Sequence, residues 1–293
     1  MLETMPLTLG TSRLGERGDD REIAALADAI IASPLGHVDT SNNYADGRSE
    51  ARLGEAIARA GGLGDTLVYS KADRDAASGA FDGERVRRSL DESLARLGLD
   101  QLPVYHLHDP YTVSISEAMA PGGAVEALID LRDQGVIGAI GIAAGKRDLV
   151  LDYVLTGAFD AVLSHNRFTL ADRSATPIFE AARERNMVVF NAAPFGGGVL
   201  ADPGKDKYGY RPMSEPFAAF VDALRAIAAE FAVDLAAAAL QFSMRSELVD
   251  STVVGVTTLQ RLNQLEQLAT TTVPDEFFEA LERLGSPPAS AND

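Results

Sequence analysis

An acid, a phenol, an ammonium and an imidazole stand at or just past the ends of short apolar segments. Asp39 ends HVDT, Tyr44 follows in SNNYADGRSE, Lys71 ends TLVYSK, and His108 ends PVYHLHDP. Each has an ordinary structural reading: a helix cap, a turn aromatic, a solvated rim lysine and a core histidine. Converging on one site, they would suit carbonyl–alcohol interconversion. Hydride transfer to a carbonyl leaves an alkoxide-like oxygen that needs a proton. A free phenol near pKa 10 is a reluctant partner at neutral pH, and an adjacent ammonium favours its phenolate form. The acid would keep the ammonium charged and oriented, and a neutral imidazole would donate a hydrogen bond to the developing oxyanion. His106 lies two residues from His108 on the same face of a strand, and we read it as a deeper core residue.

The elements that must position these groups alternate regularly. Strands are expected at Leu7–Gly10, His37–Asp39, Leu67–Ser70, Val104–Leu107, Ile137–Gly141, Ala161–Leu163, Val188–Phe190 and Thr252–Val254. Amphipathic helical patterns separate them, among them Arg21–Ala32, Asp82–Leu97, Gly123–Gln134, Arg147–Thr156, Ala175–Asn186, Glu215–Phe231 and Asp234–Ser246. That alternation means parallel strands with crossover helices, and eight strands in that order predict a (β/α)8 barrel of the TIM type. An open doubly wound sheet is the alternative, but no G-x-G-x-x-G turn follows an early strand. Without a linker or composition break, 1–293 is expected to form one domain. Two long connections, Asp109–Pro121 and Ala201–Pro216, follow strands and should sit at the C-terminal mouth, where such barrels build active sites. The tail after Pro287 is polar and expected to fray.

The bulk composition narrows the partners. A net charge of −17 argues against nucleic acid or an anionic membrane surface, leaving a small molecule as the expected partner. No run is long and apolar enough to span a bilayer, and MLETMPLTLGTSRLG has neither a basic n-region nor an apolar h-region. The chain has no cysteine, which removes thiolate chemistry and fits a cytoplasmic setting. Its only lysines are Lys71, Lys146, Lys205 and Lys207, so a lysine inside an apolar segment stands out. His106 and His108 alone do not make a metal site, which weighs against a metal-dependent hydrolase.

The stretch VDTSNNYADGRSEARLG resembles the aldo-keto reductase signature, and YSK, YHLHDP and QGVIGAIGIA follow in that family's order. The resemblance covers nearly the whole chain. It implies that Tyr44 is the proton donor or acceptor, Lys71 its activator, Asp39 the partner of Lys71, and His108 the group that orients the substrate oxygen. It also implies a nicotinamide cofactor, NAD or NADP, held by Gly10, Thr11, Asn166, Pro194, Phe195, Gly196, Gly198, Leu200, Gly255, Arg261 and Gln264. PFGGGVL is Gly-rich enough for backbone N–H groups to approach a pyrophosphate. HNRFTL, PFGGGVLA, KYGYRP and LAAAALQF resemble the aldose-dehydrogenase branch, which includes L-fucose, D-threo-aldose, L-galactose and pyridoxal dehydrogenases. That implies a small polar alcohol, such as a sugar hemiacetal oxidised to a lactone.

The cofactor half departs from the family pattern. A Ser-Asn pair that holds the nicotinamide carboxamide is replaced by Ala143 and Ala144, and Ala192 and Ala193 precede Pro194 where a stacking Tyr is common. Gly255 stands where a lysine often meets the 2′-phosphate, and Gln264 and Leu265 replace a Glu-Asn pair at the adenine. The first change leaves the cofactor's pose open; the loss at Gly255 favours NAD slightly. The alternative function is a nicotinamide-binding sensor or partner-binding subunit with little turnover.

Overall fold

The computed structural model describes residues 2–292. Eight parallel strands close into a barrel: β1 (Leu7–Gly10), β2 (His37–Asp39), β3 (Val68–Ala72), β4 (Leu102–His108), β5 (Ile137–Ala144), β6 (Ala161–His165), β7 (Val188–Ala192) and β8 (Ser251–Gly255). Each pairs with its successor except that β8 bonds both β7 and β1, which closes the ring.

Strand alternation sorts the side chains into two layers. Tyr69, Val104, Leu163, Phe190 and Val253 form one apolar cluster inside the barrel, while Val68, Leu107, Ile140, Val162 and Val189 pack outward against the helices. Register then fixes the polar layer: Gly10 lies beside Asp39, Lys71 beside His106, and His108 beside Ala143. His106 is a core residue, its ring 5.8 Å from that of Phe190. Gly141 makes room for it, because a Cβ there would lie 1.9 Å from His106 Nδ1.

Helix ends follow local chemistry. Asp19 and Glu22 form a reciprocal capping box at the start of Asp20–Ile31, and Gly98 ends Gly83–Leu97 in the left-handed conformation. Helices Arg48–Ala60, Leu259–Thr270 and Asp275–Glu282 complete the outer ring beyond those that the sequence pattern singled out. Most strands extend further than their apolar, β-branched cores. His108, Ala143, Ala144 and His165 all join the ladder, because pairing with a neighbour holds a strand end that propensity alone does not mark.

Both long connections carry structure of their own. One contains a short helix, Ile115–Met119, and the other an antiparallel pair of Lys207–Tyr208 with Arg211–Pro212. The tail corrects an expectation: it docks rather than frays. The buried Arg167 donates from Nη2 to the backbone oxygen of Asn292 at 2.7 Å, drawing the chain end back over the mouth.

Candidate active site

At the C-terminal end of the barrel, β2 and β3 bring an acid and an ammonium together. Lys71 is 1% exposed; its Nζ donates to Asp39 Oδ1 at 2.6 Å and to the Thr40 carbonyl at 2.5 Å. Burial opposes the charge, but Asp39 and Tyr44 outweigh it and hold the ammonium above its ordinary pKa. Tyr44 sits on the loop that leaves β2. Ala45, Asp46 and Gly47 all take positive φ (53°, 56°, 81°), a tight turn that folds the ring back over the mouth. Lys71 Nζ lies 4.6 Å from the ring centroid. Burial is the dominant influence on this phenol and pushes it up to about 12, although Lys71 pulls the other way. The net shift is therefore opposite to the one that an ammonium neighbour alone suggests, and the hydroxyl keeps its proton at neutral pH.

His108 ends β4, its ring 5.7 Å from that of Tyr44 at 87°. Its Nδ1 lies 2.8 Å from Asp73 Oδ1 and 3.1 Å from Ser41 Oγ. The other Asp73 oxygen accepts from the Ser41 hydroxyl and from the Asn43 N–H at 3.0 Å. Burial opposes ionisation of Asp73, but His108, Ser41 and the Asn43 amide together hold it below the usual carboxylate range. His106 lies deeper and stays neutral, since burial, Lys71 and His108 all disfavour its cation.

Beside this cluster opens a polar pocket of about 270 Å³, whose lining includes Asp109, Tyr111, Lys146, His165, Asn166 and Tyr210. Asp109 Oδ2 lies 3.8 Å from His108 Nε2, so pocket and cluster are contiguous. Burial lowers His165 to about 4, with Asp109 opposing. A larger concavity, about 800 Å³, lies apart from the cluster, between the Arg13–Leu26 segment and Thr257–Gln260.

A second groove of about 300 Å³ runs past the ends of β7 and β8, lined by Pro194, Phe195, Gly198, Gly255, Arg261 and Gln264 with Lys205. Gly196, Gly197 and Gly198 all have positive φ (57°, 73°, 103°), and a Cβ at Gly197 would lie 2.7 Å from the Gly209 carbonyl oxygen, so only glycine fits this turn. Arg261 stands in the first turn of Leu259–Thr270, which Thr258 caps through the Arg261 N–H at 3.2 Å. Two cations, a helix N-terminus and a bare glycine backbone fit a phosphate-bearing ligand. The other cofactor candidates lie elsewhere. Thr11 donates its hydroxyl to the Asp39 carbonyl and is buried, Gly10 packs against Val253, Gly196 lies under Tyr208, and Leu200 belongs to the core. Asn166 opens on the polar pocket rather than the groove. Among the described residues no group of three potential ligands could hold a metal ion, and no helix is long and apolar enough to cross a membrane.

The sequence matches the aldo/keto reductase family over residues 6–286. The chain belongs to that family. It is 28% identical to pyridoxal 4-dehydrogenase of Microbacterium luteolum, covering 97% of this chain and 95% of that one. It is 29% identical to D-threo-aldose 1-dehydrogenase of a Pseudomonas species (89% and 87% covered) and 27% identical to L-galactose dehydrogenase of Arabidopsis thaliana (86% and 79%). An aldo-keto reductase of Bacillus halodurans in its holo form superposes with a TM-score of 0.79 at 19% identity, over 98% of this chain and 94% of that one. As a family member with dehydrogenase relatives, the chain is an NAD(P)-dependent oxidoreductase.

Set within this family, the mouth contains three groups that the sequence reading missed. Asp73 follows Lys71 by two residues, and Ser41 follows Asp39 by two, so strand period alone places both near the cluster. His165, at the end of β6, was passed over in HNRFTL although it is one of only four histidines.

Proposed function

We propose that this reductase interconverts a small polar alcohol and its carbonyl form, with an aldose hemiacetal oxidised to a lactone as the best-fitting reaction. The observation that carries the reading is the meeting of Asp39, Lys71, Tyr44 and His108 at one barrel mouth, beside a pocket of about 270 Å³ lined by polar side chains. A pocket that small and polar suits a compact polyhydroxylated substrate. The relatives named as aldose, galactose and pyridoxal dehydrogenases support the same class.

The substrate oxygen sits between Tyr44 and His108. Tyr44 presents a protonated hydroxyl to it, and the buried Lys71–Asp39 pair stabilises negative charge as it moves onto that oxygen and phenol. His108 orients the oxygen from the other side. The groove along Pro194–Gly198 and Gly255–Gln264 would hold the phosphates and adenosine of the nicotinamide cofactor, with Lys205 and Arg261 as counter-charges. The cofactor when bound supplies or accepts the hydride. Ala143 and Ala192 are small and face inward at the end of the barrel, leaving space where the flat ring would lie.

Fluorescence titrations with NADH and NADPH, followed by a turnover screen of sugars, simple alcohols and aldehydes, test this reading. Cofactor binding with turnover of at least one polar alcohol is the expected result. Tight binding with no turnover across the screen would instead favour the sensor reading, to which the alanine-lined wall lends support.

A further inference from the structure

We infer that Arg85 is a positioning residue: its guanidinium ties the loop that carries Tyr44 to the end of the strand that carries Lys71, and so sets where the phenol hydroxyl lies. This rests on the reading that Tyr44 and Lys71 act together on the substrate oxygen. Three arginines stand in the first two turns of Gly83–Leu97, and they differ. Arg87 and Arg88 have side chains 41% and 48% exposed and pair outward with Asp130 and Glu84. The Arg85 side chain is 7% exposed and turns inward. Its Nε donates to the Asp73 carbonyl at 2.8 Å, and its Nη2 donates to Asn42 Oδ1 at 2.9 Å. Asp73 lies two residues beyond Lys71 and Asn42 two residues before Tyr44, so one planar fork spans both segments.

Burying a guanidinium is costly, and replacing a buried ion pair by apolar groups is often neutral or stabilising. What an apolar side chain cannot supply at position 85 is fixed geometry. Glu92, seven residues on and so on the same helix face, accepts from Nη1 at 2.9 Å and from Nη2 at 3.2 Å, which keeps the fork from turning. The Asn42 end is equally constrained. Its Nδ2 donates to the Ser89 carbonyl and to Glu92 Oε2, both at 3.1 Å, and its own carbonyl accepts from Arg96 Nη1 at 2.8 Å. Arg96 also underlies Gly47, where a Cβ would lie 2.6 Å from the Arg96 Cζ. The Tyr44 turn is thus pinned on both sides of the ring-bearing residue. On the side facing the mouth, Asp73 meets this loop through Ser41 and the Asn43 N–H, and Arg85 closes the same joint from the helix side. Cutting the helix-side tie leaves the front contacts alone to hold the phenol, and a misplacement of ~1 Å near reacting atoms can lower turnover by about 10²-fold.

Arg85→Met removes the fork and keeps the apolar stem. Tyrosine labelled with 13C at Cζ reports each phenol without requiring any activity, and Tyr44 is the one of seven resonances lost in Tyr44→Phe. Expected is a shifted or broadened Tyr44 resonance in Arg85→Met and no change there in Arg87→Met, which breaks only a surface pair on the same helix. Asn42→Ala cuts the other end of the tie and should move the same resonance, so it answers the question if Arg85→Met does not fold. In steady-state oxidation by Arg85→Met, kcat should fall about 10- to 100-fold, with substrate KM and NAD(P)H affinity within about threefold. Arg85→Lys should lose as much, since a single ammonium cannot span the Asp73 carbonyl and Asn42 as the fork does. The double variant Arg85→Met/Asn42→Ala should fall no further than the worse single, because one tie is cut twice. An unmoved Tyr44 resonance in whichever of these variants folds overturns the inference. Wild-type kcat in Arg85→Lys overturns it too, by showing that charge alone matters, and so do additive losses in the double variant. A displaced Tyr44 resonance in a protein that turns over no alcohol would instead remove the substrate reading and leave the positioning role standing.

Discussion

The two halves of the barrel mouth are built on opposite principles. From β2 to β4 nearly every side chain is polar and tied to a named partner: Lys71 to Asp39, His108 to Asp73, Asp73 to Ser41. From β5 to β7 the inner wall is alanine at 143 and 192, with His165 as the main polar intrusion. The first half is pre-organised, so its geometry does not have to be assembled when substrate arrives. The second supplies space and leaves orientation of a bound ring to shape. Catalytic power should therefore be sensitive to single atoms in the first half, while cofactor affinity should be set further out, along the groove.

The largest expected effect comes from one oxygen. Tyr44→Phe keeps the ring over Lys71 and removes the hydroxyl. Turnover should drop by roughly 10²–10⁴-fold, with NAD(P)H affinity within a few-fold of wild type and the fold intact. Normal turnover in Tyr44→Phe would place the decisive interaction elsewhere in the mouth.

Lys71→Met separates function from stability in the same half. It strands the Asp39 carboxylate in a buried site, which costs about 3–5 kcal/mol when a buried pair loses one member. Denaturant melts should show that loss, and neutral-pH turnover should fall further than in Asp39→Asn, where the ammonium remains. A second change, Asp39→Leu on top of Lys71→Met, should restore much of the stability and none of the activity. Recovery of activity in the double variant would show that the pair serves folding alone.

This contrast also explains what the sequence made legible. HVDT, TLVYSK and PVYHLHDP could be read because each puts a chemistry-bearing residue at the end of a β-branched or aromatic run, where strand periodicity and barrel topology both apply. Asp73 was passed over because it lies one residue past the end of β3, where propensity marks nothing and only the period carried on from Lys71 points to it. The alternation was nonetheless enough to place all eight strands. Thr11 and Leu200 show what a motif does not carry: that the threonine hydroxyl is bonded to the Asp39 carbonyl and that the leucine side chain is turned into the core. The docked tail depends on a contact between Arg167 and Asn292, far apart in sequence and invisible to local patterns.

His165 gives the alanine half a pH signature. Its folded value, about 4, lies below the ordinary 6.5, so the unfolded chain binds the extra proton first. The stability it contributes is complete above 6.5 and is lost as pH falls towards 4, by at most about 3 kcal/mol. Chemical denaturation of wild type and His165→Gln at pH 7 and pH 5 checks this. The wild type should lose more than the variant between the two, and equal losses would show that another group carries the dependence.

The smallest expected effect lies at the groove. Gly255 is exposed at the end of β8, and open space surrounds the position its Cβ would occupy, so a long side chain can be added without displacing anything. Wild-type protein should bind NAD at least as tightly as NADP, because Arg261 and Lys205 are the cations lining this groove and an exposed charge contributes little through screened solvent. Gly255→Lys places an ammonium beside Arg261. A charge-assisted contact to a 2′-phosphate should tighten NADPH binding about tenfold, the gain kept modest by exposure and shrinking as salt is raised. NADH affinity should not move, since it lacks that phosphate. Equal gains for both cofactors would mean that the lysine meets the pyrophosphate instead, and no gain for either would mean that the adenosine end lies away from β8. A wild type that already bound NADPH a hundred-fold more tightly than NADH would require Arg261, or a basic residue between Lys205 and Arg211, to hold the 2′-phosphate unaided.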